Sequence, residues 1–116
     1  MDVAPLTRQA CLGLLARRDR AHVAYTDRAL PAIRPFRYAM VGQQLVLRVP
    51  SDDLAGRLDG QVLALSVDEG PWTVVVTGAA HLLRSSACVG LSAVSVACED
   101  VRSSLPFAAT GQLTAP

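Results

Sequence analysis

"LVLRVPSDDLAGRL", residues 45–58, is an alternating apolar run that breaks at a proline and re-forms as a short amphipathic segment. Leu45, Leu47 and Val49 alternate with Val46 and Arg48, the period of two expected of a strand with one buried face. Pro50 cannot donate to a ladder, and Ser51 has the side chain of a helix cap. The short helix that follows carries two carboxylates, Asp52 and Asp53, before Asp59 and Gly60 end it. Free amides at such a corner, with Arg48 beside them, suit an anion, whereas the two aspartates would repel one.

Outward from this corner the alternation continues in both directions. Upstream, "AHVAYT" reads as a first strand, and "ALPAIRPFRYAMV" carries a second that starts near Ala32. Pro31 and Pro35 confine that second run to an edge or a strand start. "VGQQ" turns the chain into the third strand. Downstream, "QVLALSV" is a fourth strand, "DEGP" a turn, and "WTVVVTGAAHLL" a β-branched fifth strand. Within it, Gly78 marks a bulge or a close backbone approach. "SSACVGLS" suits a helical turn and "AVSVACEDV" a sixth strand. Ahead of all of these, Thr7 caps a helix to about Arg18, with Leu6, Ala10 and Leu14, and Cys11 and Leu15, at helical spacing.

Six short strands with one long and one or two short helices predict a mainly β protein, a six-stranded antiparallel barrel, because too few helical crossovers exist for parallel pairing. At 116 residues the chain suits one domain, with the barrel over about 20–102 and a small, polar, mobile end over 103–116. Half of it is apolar, 51%, against 18% charged, more than so small a domain can hide alone. A second copy of the chain is the expected cover, making a homodimer.

The formal net charge of +1 gives no general case for nucleic acid or an anionic membrane. No apolar run is long enough for a bilayer span and no leader pattern is evident, so the cytoplasm is the expected compartment. Cys11, Cys88 and Cys98 form an odd set without CxxC spacing, which predicts buried thiols rather than disulfides or zinc ligands. His22 and His81 have no partner at ligand spacing, and no serine sits in a recognisable nucleophilic arrangement.

The order of these segments resembles the pyridoxamine 5'-phosphate oxidase-like family, flavin-binding split barrels. "LTRQACLGLLARRDRAHVAYTD" looks like the family's opening helix and first strand, and the Pro-containing strand, glycine turn, Arg-ended strand and short helix resemble its central section. "GPWTVVVTGAAHLL" looks like its Trp-led strand and "VSVACEDVRS" its closing strand. The resemblance runs over about residues 6–102. It implies a homodimer with FMN, or a deazaflavin, between subunits, and an oxidoreductase acting on a small organic substrate.

Carried over by position, the resemblance puts Arg37 near a basic cofactor contact, and Arg48 and Val49 at the strand end facing the phosphate. Ser51 falls in the phosphate loop, and Trp72 and Thr73 at the start of the strand that passes the ring. The family's corner usually supplies threonine, then serine and lysine; this chain supplies Val49, then Asp52 and Asp53. Exchanging lysine for aspartate about 4 Å from a phosphate costs on the order of one to several kcal/mol. Arg37, Arg48 and Arg57 are available to compensate, Arg57 by reaching back one turn.

Strict alternation puts Arg37 on one face with Ile33 and Pro35, and Arg34 on the other with Phe36 and Tyr38, so the arginines do not meet without a bulge. Arginines lying over the sheet, and Trp72 as a packing residue, are the competing readings. A barrel that has lost flavin and serves as a non-enzymatic binding module is the alternative function, motivated by Asp52 and Asp53.

Overall fold

Seven strands and two helices make up the described residues of the computed structural model, which are 6–83 and 92–104. In chain order they are α1 (Arg8–Ala16), β1 (Arg20–Asp27), β2 (Leu30–Val41), β3 (Gln44–Val49), α2 (Asp52–Leu58), β4 (Val62–Glu69), β5 (Trp72–Leu83), β6 (Ser92–Ala97) and β7 (Asp100–Ser104). All pairings are antiparallel. The order β4-β1-β2-β3-β6-β5 closes through β4–β5 into a six-stranded barrel, and β7 adds to β5 as an extra strand. The protein is therefore mainly β, as the alternation predicts.

Thr7 caps α1, its Oγ1 accepting from the Ala10 N–H at 3.1 Å. The helix ends at Ala16, two residues short of the expected Arg18, with the Arg17 N–H donating to the Leu14 carbonyl at 3.1 Å. It buries Cys11, Leu14 and Leu15. Inside the barrel, Val23, Phe36, Leu47, Leu65, Val76 and Val94 point inward from successive strands, while α2 packs on β1, β3, β5 and β6 with Leu54, Ala55 and Leu58 buried.

Two expectations are corrected. The second strand starts at Leu30 rather than Ala32, because Arg28 and Ala29 alone make the turn, at φ 53° and 67°. That is a two-residue turn with both central residues left-handed, normally signalled by Asn-Gly, and nothing in "RA" announces it. The run "AVSVACEDV" is two strands, not one. Ala80 faces Val96 while Thr77 faces Asp100, so three residues, Ala97 to Glu99, lie opposite two on β5. This is a bulge, and it hands the edge of β5 from β6 to β7. Gly78 sits opposite it: a Cβ there would lie 1.9 Å from the Ala97 carbonyl oxygen. The close approach expected at Gly78 is thus explained. The Ala79 N–H beside the bulge donates to a Glu99 carboxylate oxygen at 3.3 Å.

The proline-bearing half of β2, residues 30–37, pairs only with β1, and residues 38–41 pair with β3. Counting from the two-residue turn, Pro31 and Pro35 occupy non-hydrogen-bonded positions opposite Thr26 and His22, where a missing N–H costs the ladder nothing. Cys11 and Cys98 are free, buried thiols. Residues 85–91, expected to form a helical turn and containing Cys88, and residues 105–116 of the expected tail lie outside the described residues. Ser103 and Ser104 belong to β7.

Candidate functional site

The β2–β3 ladder begins at Val41 opposite Gln44, with Gly42 at φ 61° in the turn, and ends at Tyr38 opposite Leu47. One step further the same register would set Arg37 against Arg48. Like charges directly opposite each other weaken a cross-strand pair, and Pro35 and Pro50 bar continuation on both sides. The strands part at this point. The opening between them is a cavity of about 240 Å³ lined by Arg34, Pro35, Phe36 and Arg37 from β2 and by Arg48, Val49 and Pro50 from β3 and the corner.

Three arginines thus line one groove. Alternation still holds: Arg34 shares the Phe36 face of β2, and Arg37 the opposite one. No bulge is needed to bring them together, because the groove lies along the strand edge and is reached from both faces. The Arg34 guanidinium stands 5.8 Å from the centre of the Phe36 ring, and Phe36 is itself buried, 6.2 Å from the ring of Tyr25. Arg37 Nη1 pairs with Asp19 Oδ2 at 3.0 Å, an exposed contact worth about 0–1 kcal/mol. Arg34 and Arg48 have no carboxylate partner among the described residues.

Of the positions singled out in the sequence, Arg37, Arg48 and Val49 line the groove together. Ser51 lies just past it and acts as the helix cap, its Oγ accepting from the Leu54 N–H at 3.1 Å. Arg57 turns away, pairing with Asp27 and, at 3.4 Å, with Asp53. Gln61 ties the same region together, donating to the Arg57 carbonyl and to the Thr26 carbonyl, each at 2.9 Å. Neither Asp52 nor Asp53 lines the groove, and Asp53 spends its charge on Arg57.

Trp72 and Thr73 begin β5, where Trp72 is half-buried against the core and the Thr73 hydroxyl donates to Asp68 at 2.7 Å. Arg48 is level with Ala93 and hence with Leu83, the last residue of β5. Eleven residues of extended chain, roughly 36 Å, separate that level from Trp72. One chain does not bring the two ends of β5 to one small ligand.

Arg34, Pro35, Phe36 and Pro50 are the lining residues that the sequence reading did not include in the site. The available signal was the register: counting back from the "VGQQ" turn sets Arg37 against Arg48 and the two prolines just beyond. Nearby, the buried Tyr38 hydroxyl donates to the Leu15 carbonyl at 2.6 Å, and burial pushes its pKa up to about 12. Tyr38 is a fixed structural donor, not a proton shuttle. No group of three His, Cys, Asp or Glu among the described residues could hold a metal ion. None of the described helices is long and apolar enough to cross a membrane.

The pyridoxamine 5'-phosphate oxidase family profile matches residues 7–89. No curated protein matches the chain. Among solved structures, an FAD-binding protein from Mycobacterium smegmatis superposes with a TM-score of 0.73 at 17% identity, over 88% of this chain and 96% of its own. A second FAD-binding protein, from Mesorhizobium loti, gives 0.72 at 16% identity over 89% and 97%. A Clostridium acetobutylicum protein related to general stress protein 26, of the pyridoxinephosphate oxidase family, gives 0.66 at 15% over 84% and 87%. At these identities the likeness is one of fold. With most of its length matched by the profile, and with the same closed barrel, the chain belongs to the pyridoxamine 5'-phosphate oxidase family.

Proposed function

We propose that the protein is a dimeric flavin-dependent oxidoreductase that binds the phosphate end of the flavin in the groove between β2 and β3. The observation that supports this most is the cluster of Arg34, Arg37 and Arg48 at a break in a sheet, beside a corner where the chain leaves β3 for a capped helix. Planar guanidinium groups match phosphate oxygens bidentately, and two of the three have no internal carboxylate to satisfy them. The residues fit a phosphorylated cofactor. The corner aspartates, the main argument for a barrel that has lost flavin, weigh less once Asp53 is seen paired with Arg57.

FMN is the ligand this reading favours, with FAD, named in the structural neighbours, and a deazaflavin as the related choices. A bound flavin would supply hydride transfer to a small organic substrate; the chain supplies position and charge. The groove, at about 240 Å³, is smaller than the several hundred Å³ that enclose a ligand of this size, so the ring must extend beyond one chain.

A second copy supplies the rest. The outer face of β1, β2, β4 and β5 carries a row of apolar and small residues, Ile33 beside Ala24, Ala24 beside Ala64, and Ala64 beside Thr77. On this face Ile33 and Val62 are 71% and 67% exposed in one chain. Docking two such faces would hide this surface, and Trp72 and Thr73 of the second copy are the residues proposed to border the ring. The free buried thiols suit a reducing compartment, the cytoplasm.

Fluorescence titration with FMN tests the reading. Quenching with micromolar affinity, weakened on the order of 10-fold or more in Arg48→Ala, is the expected result. A protein that quenches neither FMN nor a deazaflavin refutes it.

A further inference from the structure

We propose that Pro31 and Pro35 are placed to keep the open edge of β2 from pairing with a strand of another molecule. β2 has such an edge because it parts from β3: residues 30–37 pair with β1 alone, and no other described strand reaches them. Eight residues of extended chain make an edge of roughly 26 Å, longer than most strands. Leu30 and Ile33 on it are exposed, and Phe36 adds a third large apolar residue beside the groove. A long, apolar, unpaired edge is a template for a further strand.

The phase of the backbone decides what that edge offers. In an antiparallel pair, residues at non-hydrogen-bonded positions turn their N–H and C=O away from the partner strand. Counted from the two-residue turn, these are Pro31, Ile33, Pro35 and Arg37, opposite Thr26, Ala24, His22 and Arg20. The Tyr38 N–H, one residue further, donates to the Asp19 carbonyl at 2.9 Å on the β1 side, which fixes the same phase independently. An incoming strand therefore finds acceptors at all of these outward-facing positions but donors only at Ile33 and Arg37. Arg34 and Arg37 add like charges wherever a second copy of the same edge is the incoming strand. Had either proline stood one residue along, its missing N–H would have broken the ladder with β1 instead. The prolines leave the β1–β2 hairpin whole and disable only its open side, which must stay unpaired for the groove to exist.

The proposal holds with or without a flavin in the groove. Its test uses the full chain and a double variant, Pro31→Thr with Pro35→Thr, against Pro71→Thr in the β4–β5 turn as the control. Size-exclusion chromatography with light scattering should show the double variant, folded by circular dichroism, assembling beyond the wild-type size at concentrations on the order of 10-fold lower. Thioflavin T fluorescence should accompany that assembly and be absent from the wild type and from Pro71→Thr. Hydrogen exchange reads the edge directly: in the wild type the Ile33 amide should exchange on the order of 100-fold faster than those of Ala32 and Arg34, which face β1. A double variant that folds and keeps the wild-type size overturns the proposal, as does a wild-type Ile33 amide as protected as its neighbours. If the double variant does not fold, Pro31→Ala and Pro35→Ala, each restoring one donor, decide: assembly at lower concentration than the wild type upholds the proposal, and unchanged size overturns it.

Discussion

Gly78 shows how strictly one residue can be required. Any side chain there meets the Ala97 carbonyl at 1.9 Å, a backbone atom that moves only if the bulge moves. Gly78→Ala should therefore destabilise the fold by about 2 kcal/mol or more, read as a fall in the midpoint of urea unfolding. Tyr38 makes a second prediction at this scale. Burial raises its folded pKa from 10.0 to about 12, so the unfolded chain loses the phenolic proton first. Stability is intact below pH 10 and falls as pH rises towards 12, by on the order of 2–3 kcal/mol. Burial also raises the Cys98 thiol pKa, which adds a loss of the same sign on the alkaline side. Tyr38→Phe should lower stability at pH 8, because the Leu15 carbonyl loses its donor, yet flatten the decline between pH 10 and 12. Denaturation curves at both pH values check this. Serine 51 was legible as a cap from the sequence because capping is local chemistry. Arg57 was not legible as a partner of Asp27, thirty residues away, because only the packing of α2 against β1 brings them together.

Among elements, the β1–β2 hairpin departs most from what its sequence announces. Arg28 and Ala29 both hold positive φ, a conformation that costs a residue with a Cβ roughly 1–2 kcal/mol. Glycine escapes that cost but gives up roughly 0.5–1 kcal/mol of chain entropy. Ala29→Gly should then stabilise by about 0.5–1 kcal/mol, seen as a higher thermal midpoint with the strand register unchanged. The bounds of β5 and the Val49 end of β3 were legible in the sequence, since alternation bounded by proline or a Gly-containing turn leaves little freedom. The break between β6 and β7 was not, because a bulge keeps the apolar pattern and shifts only the pairing. The groove was half legible for a related reason. Alternation gives the face of each arginine correctly, but the site lies at an edge, and edges follow from where a ladder stops rather than from side-chain period.

At the scale of the molecule, the barrel leaves two things incomplete: an apolar outer face and a groove too small to enclose a flavin by itself. The proposed two-fold pairing would resolve both, so disrupting the face should also empty the site. Ile33→Arg, at the β2 end of the exposed row, should convert the proposed dimer to monomer and weaken flavin binding on the order of 10-fold or more, although Ile33 does not line the groove. Size-exclusion chromatography of the wild type mixed with FMN, followed by light scattering and visible absorbance together, tests the account most directly. The expected result is flavin absorbance eluting with a particle of twice the 12.2 kDa chain mass, at one flavin per chain. A colourless protein, or flavin travelling with a single chain, would contradict it.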